Sequence, residues 1–185
     1  SYQAFVLKNA TELFRRLRSQ NHYLAGTMPF TIMFHNWDGI TSFAEMNPKP
    51  VAKQYQISYQ PVLLSWENWQ SQIYAGNTLS VIAHLVNDDD YSNDLTHARL
   101  QWWIEKDGAK MVSGDFDIPF VPYYGTYRQP LSIVVPSHLA TGEYTLKGEI
   151  WLNGKRVSHN ESELFIAGKD WKTTGTTKET IYVYD

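Results

Sequence analysis

The hydrophobic pattern of this chain changes its period between Gly26 and Pro50, and this change limits the possible folds more than any other feature. Before it, apolar residues recur every three or four positions, which is typical of one face of a helix. After it, apolar and polar residues alternate, which is typical of strands with one buried face. The sequence therefore predicts a helical segment joined to a β-rich domain.

The first segment is predicted to be a helix from Tyr2 to Arg18. Its apolar side chains fall on one face: Phe5, Val6, Ala10, Leu13, Phe14 and Leu17. Arg15, Arg16 and Arg18 lie near the carboxyl end, where positive charge favours the negative end of the helix dipole. We interpret these arginines as solvated or dipole-capping groups.

The run from Phe30 to Phe34 is nearly continuous in apolar residues, which predicts a strand buried on both faces of a parallel sheet. Such a strand needs parallel neighbours, and because no other helix-and-strand repeat occurs here, we expect them upstream. Polar and aromatic residues follow it directly, where α/β barrels carry active-site residues: His35, Asn36, Trp37 and Asp38. The alternative is a simple turn made by Asp38 and Gly39.

The remainder of the chain reads as a short helix followed by strands. Pro50 suits the first turn of a helix that ends near Tyr59, and alternation begins after Pro61. Asp107-Gly108 and Asn153-Gly154 each separate alternating runs and suit tight type I′ turns. Six or seven strands of this kind predict an immunoglobulin-like antiparallel β-sandwich, with Trp102 pointing inward and Tyr144 as a corner tyrosine.

Composition excludes several classes of function. Sixteen basic and nineteen acidic residues give a net charge of -3, so we expect no nucleic-acid partner. Without cysteine the chain has no disulfide and no thiolate zinc site. No apolar run approaches the roughly 20 residues that span a membrane. Asp88, Asp90, Ser92 and Asp94 lack the glycine and glutamate of a calcium loop, and the histidines lack zinc spacing, so we expect no metal and no cofactor.

Four tryptophans are predicted to be exposed. By alternation Trp103 and Trp151 face away from the sandwich core, and Trp66 and Trp69 are placed in the loop that leads into the sandwich. Exposed aromatic rings suit two purposes, namely platforms for sugar rings and docking surface for a neighbouring domain. The residues alone leave both open.

Short motifs along the chain resemble glycoside hydrolase family 2, in particular its β-galactosidase-like members. The first part resembles the end of the catalytic barrel, and the second resembles the immunoglobulin-like sandwich that follows it. The motifs for the barrel are Arg15-Arg16, His35-Asn36-Trp37-Asp38 and Gln60-Pro61-Val62, and those for the sandwich are Val86-Asn87-Asp88, Leu100-Gln101-Trp102 and Gly142-Glu143-Tyr144-Thr145-Leu146.

This resemblance implies three regions. Residues 1–60 would be the carboxyl-terminal fragment of a (β/α)8 barrel, residues 61–168 the sandwich, and residues 169–185 a linker with the start of a following domain. Trp37 would cover a sugar ring beside Asn36 and Asp38, with His35 as the substitute if the alignment slips. The partners would be a β-linked oligosaccharide or glycoside, bound by the parent enzyme, and the barrel itself.

The resemblance also implies a retaining parent enzyme whose two catalytic carboxylates stand roughly 5 to 5.5 Å apart on other barrel strands. Neither has a counterpart here, and Glu12, Glu45 and Glu67 lack the sequence context of the family. We therefore predict a non-catalytic portion of a β-glycosidase. A stand-alone carbohydrate-binding module and an immunoglobulin-like adhesion module are the alternatives. A signal peptide on the parent would place it in the bacterial periplasm or outside the cell; the sequence does not fix the compartment.

Overall fold

The computed structural model describes residues 2–18, 20, 26, 42, 45 and 49–172. In these residues two helices precede eight strands. The helices are α1 (Tyr2–Arg18) and α2 (Pro50–Ser58), and a 3-10 helix at Lys169–Lys172 follows the last strand. The strands are β1 (Val62–Glu67), β2 (Gln72–Tyr74), β3 (Thr78–Asn87), β4 (Ala98–Lys106), β5 (Ala109–Ile118), β6 (Thr126–Val134), β7 (Gly142–Leu152) and β8 (Lys155–Ala167).

The strands form two sheets that pack face to face. One sheet has the order β1-β3-β6 and the other has the order β2-β8-β7-β4-β5. Strand β2 runs parallel to β8, whereas the other paired strands are antiparallel. The predicted antiparallel β-sandwich is therefore confirmed. The sequence did not predict strand β2, because three residues are too few to establish an alternating pattern.

The core lies between the sheets and follows the predicted alternation. Leu79 and Leu85 on β3 are fully buried, as are Leu100 and Ile104 on β4. Trp102 shares the inward face of β4 and packs against this core, as predicted. Its ring occupies the space beside Gly114 on β5, where an added Cβ would come within 2.5 Å of the ring.

The predicted turns have the backbone geometry that their residues favour. Asp107 and Gly108 join β4 to β5 with φ angles of 51° and 80°, and Asn153 and Gly154 join β7 to β8 with φ angles of 50° and 77°. Positive φ at both central positions is the requirement of a type I′ turn, and these residues adopt it at little cost.

The predicted corner tyrosine is also present. The hydroxyl of Tyr144 donates a hydrogen bond to the carbonyl oxygen of Ala140, four residues upstream, at 2.8 Å. The ring itself is buried in the core. This contact fixes the path of the chain as it crosses into β7, which is the role of such a tyrosine in immunoglobulin-like folds.

Two of the four tryptophans predicted to be exposed are buried. Trp66 is only 4% exposed because it lies in β1 and not in a loop, and its Nε1 donates to the carbonyl oxygen of Asn160. Trp103 faces outward as predicted but is 9% exposed, because the ammonium of Lys110 lies 4.0 Å from its ring centroid. The prediction failed because alternation gives the direction of a side chain and not what covers it.

The other two tryptophans behave differently. Trp69 is 86% exposed. Trp151 is half-buried on the outer face of β7, where its Nε1 donates to Glu149 at 3.2 Å. Of the four, Trp69 therefore presents the most accessible ring.

The contrast between Trp66 and Trp69 gives a stability test. Trp66→Ala is expected to lower the free energy of unfolding by about 3–5 kcal/mol, because it leaves a cavity beside Gly148, whose missing Cβ would lie 2.5 Å from the ring. Trp69→Ala serves as the matched control and is expected to change it by less than about 0.5 kcal/mol. Urea denaturation followed by fluorescence measures both, and equal losses would contradict the placement of Trp66 in the core.

Candidate functional site

Helix α1 has the predicted bounds, and the face that packs against the rest of the chain is opposite its apolar stripe. Its buried residues are Ala4, Thr11, Glu12 and Arg15, whereas the large side chains of the apolar face are 40% to 59% exposed. Of the two interpretations of Arg15, solvated or dipole-capping, the solvated one is therefore wrong. Periodicity locates an apolar stripe on a helix but does not say which neighbour the stripe faces.

The guanidinium of Arg15 joins three parts of the chain. Its Nε and Nη2 donate to Asp88 Oδ2 at 3.1 and 2.7 Å, at the start of the loop after β3. Its Nη1 donates to the carbonyl oxygens of Ser58 at 2.5 Å and of Gln60 at 2.8 Å. These carbonyls lie at the end of α2, whose last turn contains no basic residue. Arg15 thus supplies the cation that the negative end of α2 favours.

Burial shifts the protonation equilibrium of Arg15. Desolvation lowers the pKa of Arg15 to about 10, although the nearby carboxylate of Glu12 opposes that shift. Arg15 therefore stays charged at neutral pH. Arg18 pairs with the other carboxylate oxygen of Asp88, and its guanidinium lies 4.3 Å from the ring centroid of Tyr124. We term Arg15, Arg18 and Asp88 the arginine clamp.

Glu12 forms a second polar contact between α1 and the sandwich. The residue is only 1% exposed. Its carboxylate accepts hydrogen bonds from Ser58 at 3.2 Å, Ser65 at 2.8 Å and Asn160 at 2.9 Å. The ammonium of Lys8, one helical turn away, lies 3.0 Å from it. Because these donors satisfy the buried carboxylate, Glu12 joins α1 and α2 to the sandwich.

Asn160 extends this contact across the edge of the sandwich. Its side-chain nitrogen also donates to the carbonyl oxygen of Leu64 at 2.6 Å, so strand β8 of one sheet is bonded to strand β1 of the other. Ser158, two residues earlier, accepts from the backbone N–H of Leu64 at 2.9 Å. Gln60 makes a similar link, because its amide donates to the carbonyl oxygen of His159 at 2.9 Å and accepts from the N–H of the same residue at 3.0 Å.

Glu67 is the centre of a third polar cluster. It accepts from Trp69 Nε1 at 2.9 Å, contacts His84 Nε2 at 2.6 Å and lies 3.5 Å from Arg16. The hydrogen bond from Trp69, helped by His84, holds the pKa of Glu67 below its ordinary value. Burial, with Arg16 and Arg128 nearby, lowers the pKa of His84 despite the carboxylate. At neutral pH the pair is thus a neutral imidazole donating to a carboxylate.

A cleft of about 250 Å³ opens beside the arginine clamp. Phe14 and Tyr59 are among its apolar walls, and Asp90 is among its polar groups. The charged side chains of the clamp at this cleft are already paired with one another. The geometry is that of a joint between helices and sandwich.

The predicted substrate-facing residues His35, Asn36, Trp37 and Asp38 lie outside the described residues, as does the apolar run from Phe30 to Phe34. Glu12 and Glu67, which lack the family's catalytic context, both accept hydrogen bonds from neighbouring side chains. Within the described ranges, no group of three or more His, Cys, Asp or Glu residues could hold a metal ion. No helix among them is long and apolar enough to cross a membrane.

Sequence reasoning missed the residues that join α1 to the sandwich. A signal was present, because Lys8, Glu12 and Arg15 recur at spacings of four and three and form a charged stripe on α1. Such a stripe usually faces water, since charged side chains are seldom buried without partners. The partners here lie 43 to 148 residues away, so that only the folded chain identifies them.

No protein-family description matches the sequence, and no curated protein matches it either. Several solved structures are similar to part of the chain. The exo-chitosanase CsxA from Amycolatopsis orientalis is 21% identical with a TM-score of 0.46, over 66% of this chain and 13% of that one. A β-glucuronidase from glycoside hydrolase family 2 is 14% identical with a TM-score of 0.41, over 60% of this chain and 11% of that one.

A third solved structure is also similar to part of this chain. The CARDB domain of a Pyrococcus furiosus protein is 6% identical with a TM-score of 0.42, over 60% of this chain and 97% of that domain. This chain thus spans a small part of the two glycosidases and nearly all of the CARDB domain. At these identities the likeness concerns the sandwich fold alone.

The arginine clamp generates a prediction about stability. Arg15→Met is expected to lower the free energy of unfolding by about 3–5 kcal/mol, because it leaves Asp88 and the end of α2 without their buried cation. The control is Arg156→Met, which removes an ion pair to Glu149 from a half-exposed side chain and is expected to cost less than about 1 kcal/mol. Guanidinium denaturation monitored by circular dichroism measures both. If Arg15→Met lowered the free energy of unfolding no more than Arg156→Met, the role of Arg15 would be refuted.

His84 generates a prediction about pH. Its pKa is lower in the folded chain than its ordinary value of 6.5, so just below that pH the unfolded chain binds more protons than the folded chain. The free energy of unfolding should therefore fall as the pH drops from 6.5 through the folded pKa. The depressed pKa of Glu67 acts at lower pH, where its stabilisation is lost as the carboxylate protonates.

The variant His84→Gln keeps a hydrogen-bond donor but does not titrate. Urea midpoints measured between pH 7.5 and 5.5 should decrease less for this variant than for the parent chain. His138→Gln is the control for the removal of a histidine elsewhere in the chain. Parallel profiles for His84→Gln and the parent chain would contradict the assignment.

Proposed function

We propose that this chain is a non-catalytic, carboxyl-terminal portion of a family 2-like retaining β-glycosidase, in which the sandwich buttresses the catalytic barrel. The observation that carries the proposal is the orientation of α1. Its charged face is fixed to the sandwich, and its apolar face, including Phe5, Leu13 and Leu17, is directed away from that contact. An amphipathic helix of this kind needs an apolar partner on its second side.

A barrel supplies such a partner. In a (β/α)8 barrel each outer helix packs its apolar face on the strands and turns its polar face outward. Helix α1 would fill this position if its apolar face packed on barrel strands while the arginine clamp held its outer face to the sandwich. This arrangement also agrees with the motif resemblance, which places residues 1–60 at the end of the barrel and residues 61–168 in the sandwich.

The strand-end residues would then line the sugar site. His35, Asn36, Trp37 and Asp38 follow the apolar run from Phe30 to Phe34. The flat face of Trp37 would cover the C–H side of a sugar ring, and Asn36 and Asp38 would hydrogen-bond to hydroxyl groups. The substrate would be a β-linked oligosaccharide or glycoside, with both catalytic glutamates supplied by other strands of the barrel.

The burial of Trp66 and Trp103 weakens the alternative of a stand-alone carbohydrate-binding module that uses these rings. The adhesion-module alternative gives no purpose to α1, which the clamp and Glu12 attach closely to the sandwich. The glycosidase proposal accounts for both faces of this helix.

Two substitutions on the exposed face test the proposal. Leu13→Glu with Leu17→Glu is expected to leave the unfolding free energy of the 185-residue chain unchanged within about 0.5 kcal/mol per site, because both residues are exposed. In the polypeptide of the complete reading frame, the same change should destabilise by at least about 2 kcal/mol, because it would bury carboxylates against a barrel. Replacing two exposed polar residues of α1, Gln3→Glu and Asn9→Asp, is the control.

Activity gives the second arm of the same test. The 185-residue chain should not hydrolyse aryl β-glycosides, whereas the complete polypeptide should. Turnover by the 185-residue chain that one carboxylate substitution abolishes would overturn the proposal. So would a complete reading frame without two glutamates at the ends of barrel strands.

A further inference from the structure

Two loops meet at one end of the sandwich. Residues 88–97 join β3 to β4, and residues 119–125 join β5 to β6, so each loop crosses from one sheet to the other. Leu95 and Val121 exchange backbone hydrogen bonds of 2.9 and 3.0 Å, and the N–H of Tyr123 donates to Asp94 Oδ1 at 2.7 Å. Because each loop is bonded to the other, their shape is set before any ligand arrives. We term these segments the paired loops.

The paired loops also contain strained backbone. Outside the two hairpin turns, the described residues other than glycine with positive φ are Ser92 at 60°, His97 at 57° and Tyr124 at 64°, and all three lie in these loops. Each such residue costs free energy that the surrounding structure has to offset, and such strain concentrates at binding and catalytic sites. In the paired loops the strained backbone occurs together with exposed aromatic side chains.

The large apolar side chains exposed on the paired loops are all aromatic. Tyr91 is 85% exposed and Phe120 is 60% exposed, and the rings of Tyr123 and Tyr124 lie beside each other with centroids 6.1 Å apart. Arg18 stacks on Tyr124 from the clamp side. The exposed large side chains of α1, in contrast, are mixed, with three aliphatic and three aromatic members: Val6, Leu13, Leu17, Tyr2, Phe5 and Phe14. Exposed aromatic rings suit a ligand that presents flat apolar faces.

Polar groups and a concave surface accompany one of these rings, that of Phe120. A cleft of about 490 Å³ lies between the end of the first loop and the start of the second, and its lining includes His97, Asp117 and Phe120. The side chain of Asp117 is 87% exposed. Carboxylates accept hydrogen bonds from hydroxyl groups, and a cleft of this size with an aromatic wall suits a small ligand.

Asp89 fixes the backbone around Tyr91, whose ring is the most exposed one on the paired loops. Its carboxylate accepts from the backbone N–H groups of Tyr91 and Asn93, each at 3.1 Å, and from the Asn93 side chain at 2.8 Å. These hydrogen bonds fix the backbone that carries Tyr91. The loop therefore loses little conformational entropy when a ligand binds, which favours binding.

We propose that the paired loops form a saccharide-binding site, in which Tyr91 and Phe120 cover the apolar faces of sugar rings while Asp117 and His97 bond to hydroxyl groups. A sugar presents an apolar C–H face and a rim of hydroxyl groups, and the paired loops match both. The site uses none of the residues proposed to line the catalytic pocket, and it does not depend on a barrel.

Binding of hexasaccharides tests this site in the 185-residue chain. The probes are β-1,4-linked hexamers of glucose, N-acetylglucosamine, glucosamine, xylose and mannose, measured by saturation-transfer NMR and calorimetry. At least one should bind. Tyr91→Ala and Phe120→Ala should each weaken that binding by about tenfold, which is the loss expected for one aromatic contact. Tyr91→Phe keeps the ring and should retain most of the affinity.

Trp69→Ala is the matched control, because Trp69 is as exposed as Tyr91 but lies between β1 and β2. It should leave binding unchanged. Failure of all five probes to bind at millimolar concentration would overturn the site, as would binding that survives both Tyr91→Ala and Phe120→Ala or that depends on Trp69. Because the parent enzyme takes no part in this experiment, its outcome is independent of the glycosidase proposal.

Discussion

The arrangement of this molecule depends on one buried cation, the guanidinium of Arg15. It contacts the end of α2, 43 residues away, and the loop after β3, 73 residues away, so three remote segments meet at a single group. Inside a protein, charge interactions are stronger than in water, but an unpaired charge is costly. Arg15 therefore stabilises the joint only when Asp88 and the α2 carbonyls are all in place, which makes the position of α1 specific.

This joint explains why α1 packs with its charged face inward. Glu12 and Asn160 add a second connection, which reaches strand β1 of one sheet and strand β8 of the other. The helix and the sandwich are consequently coupled through several satisfied polar groups, while the apolar face of the helix stays available. The molecule thus has two exposed apolar surfaces, one on α1 that mixes aliphatic and aromatic side chains and one on the paired loops whose large apolar side chains are all aromatic.

Features that arise from neighbours in sequence were predictable. The Asp-Gly and Asn-Gly turns, the alternation on β3 and the corner tyrosine Tyr144 each depend on residues a few positions apart, and the structure confirms them. The burial of Trp66 and Trp103 was not predictable, because it depends on Gly148 and Lys110, which lie beside these rings on other strands. The same reason explains the error over Arg15.

The sequence by itself determined the β-sandwich, its hairpins and the inward residues of its core, because backbone preferences and period-two alternation act locally. It also excluded chemistry that requires cysteine. Only the tertiary structure decided which face of α1 is buried and which loops meet at the end of the sandwich. Those outcomes depend on the pairing of groups distant along the chain, and a buried charge or an exposed ring acquires its role only from the partners that folding brings to it.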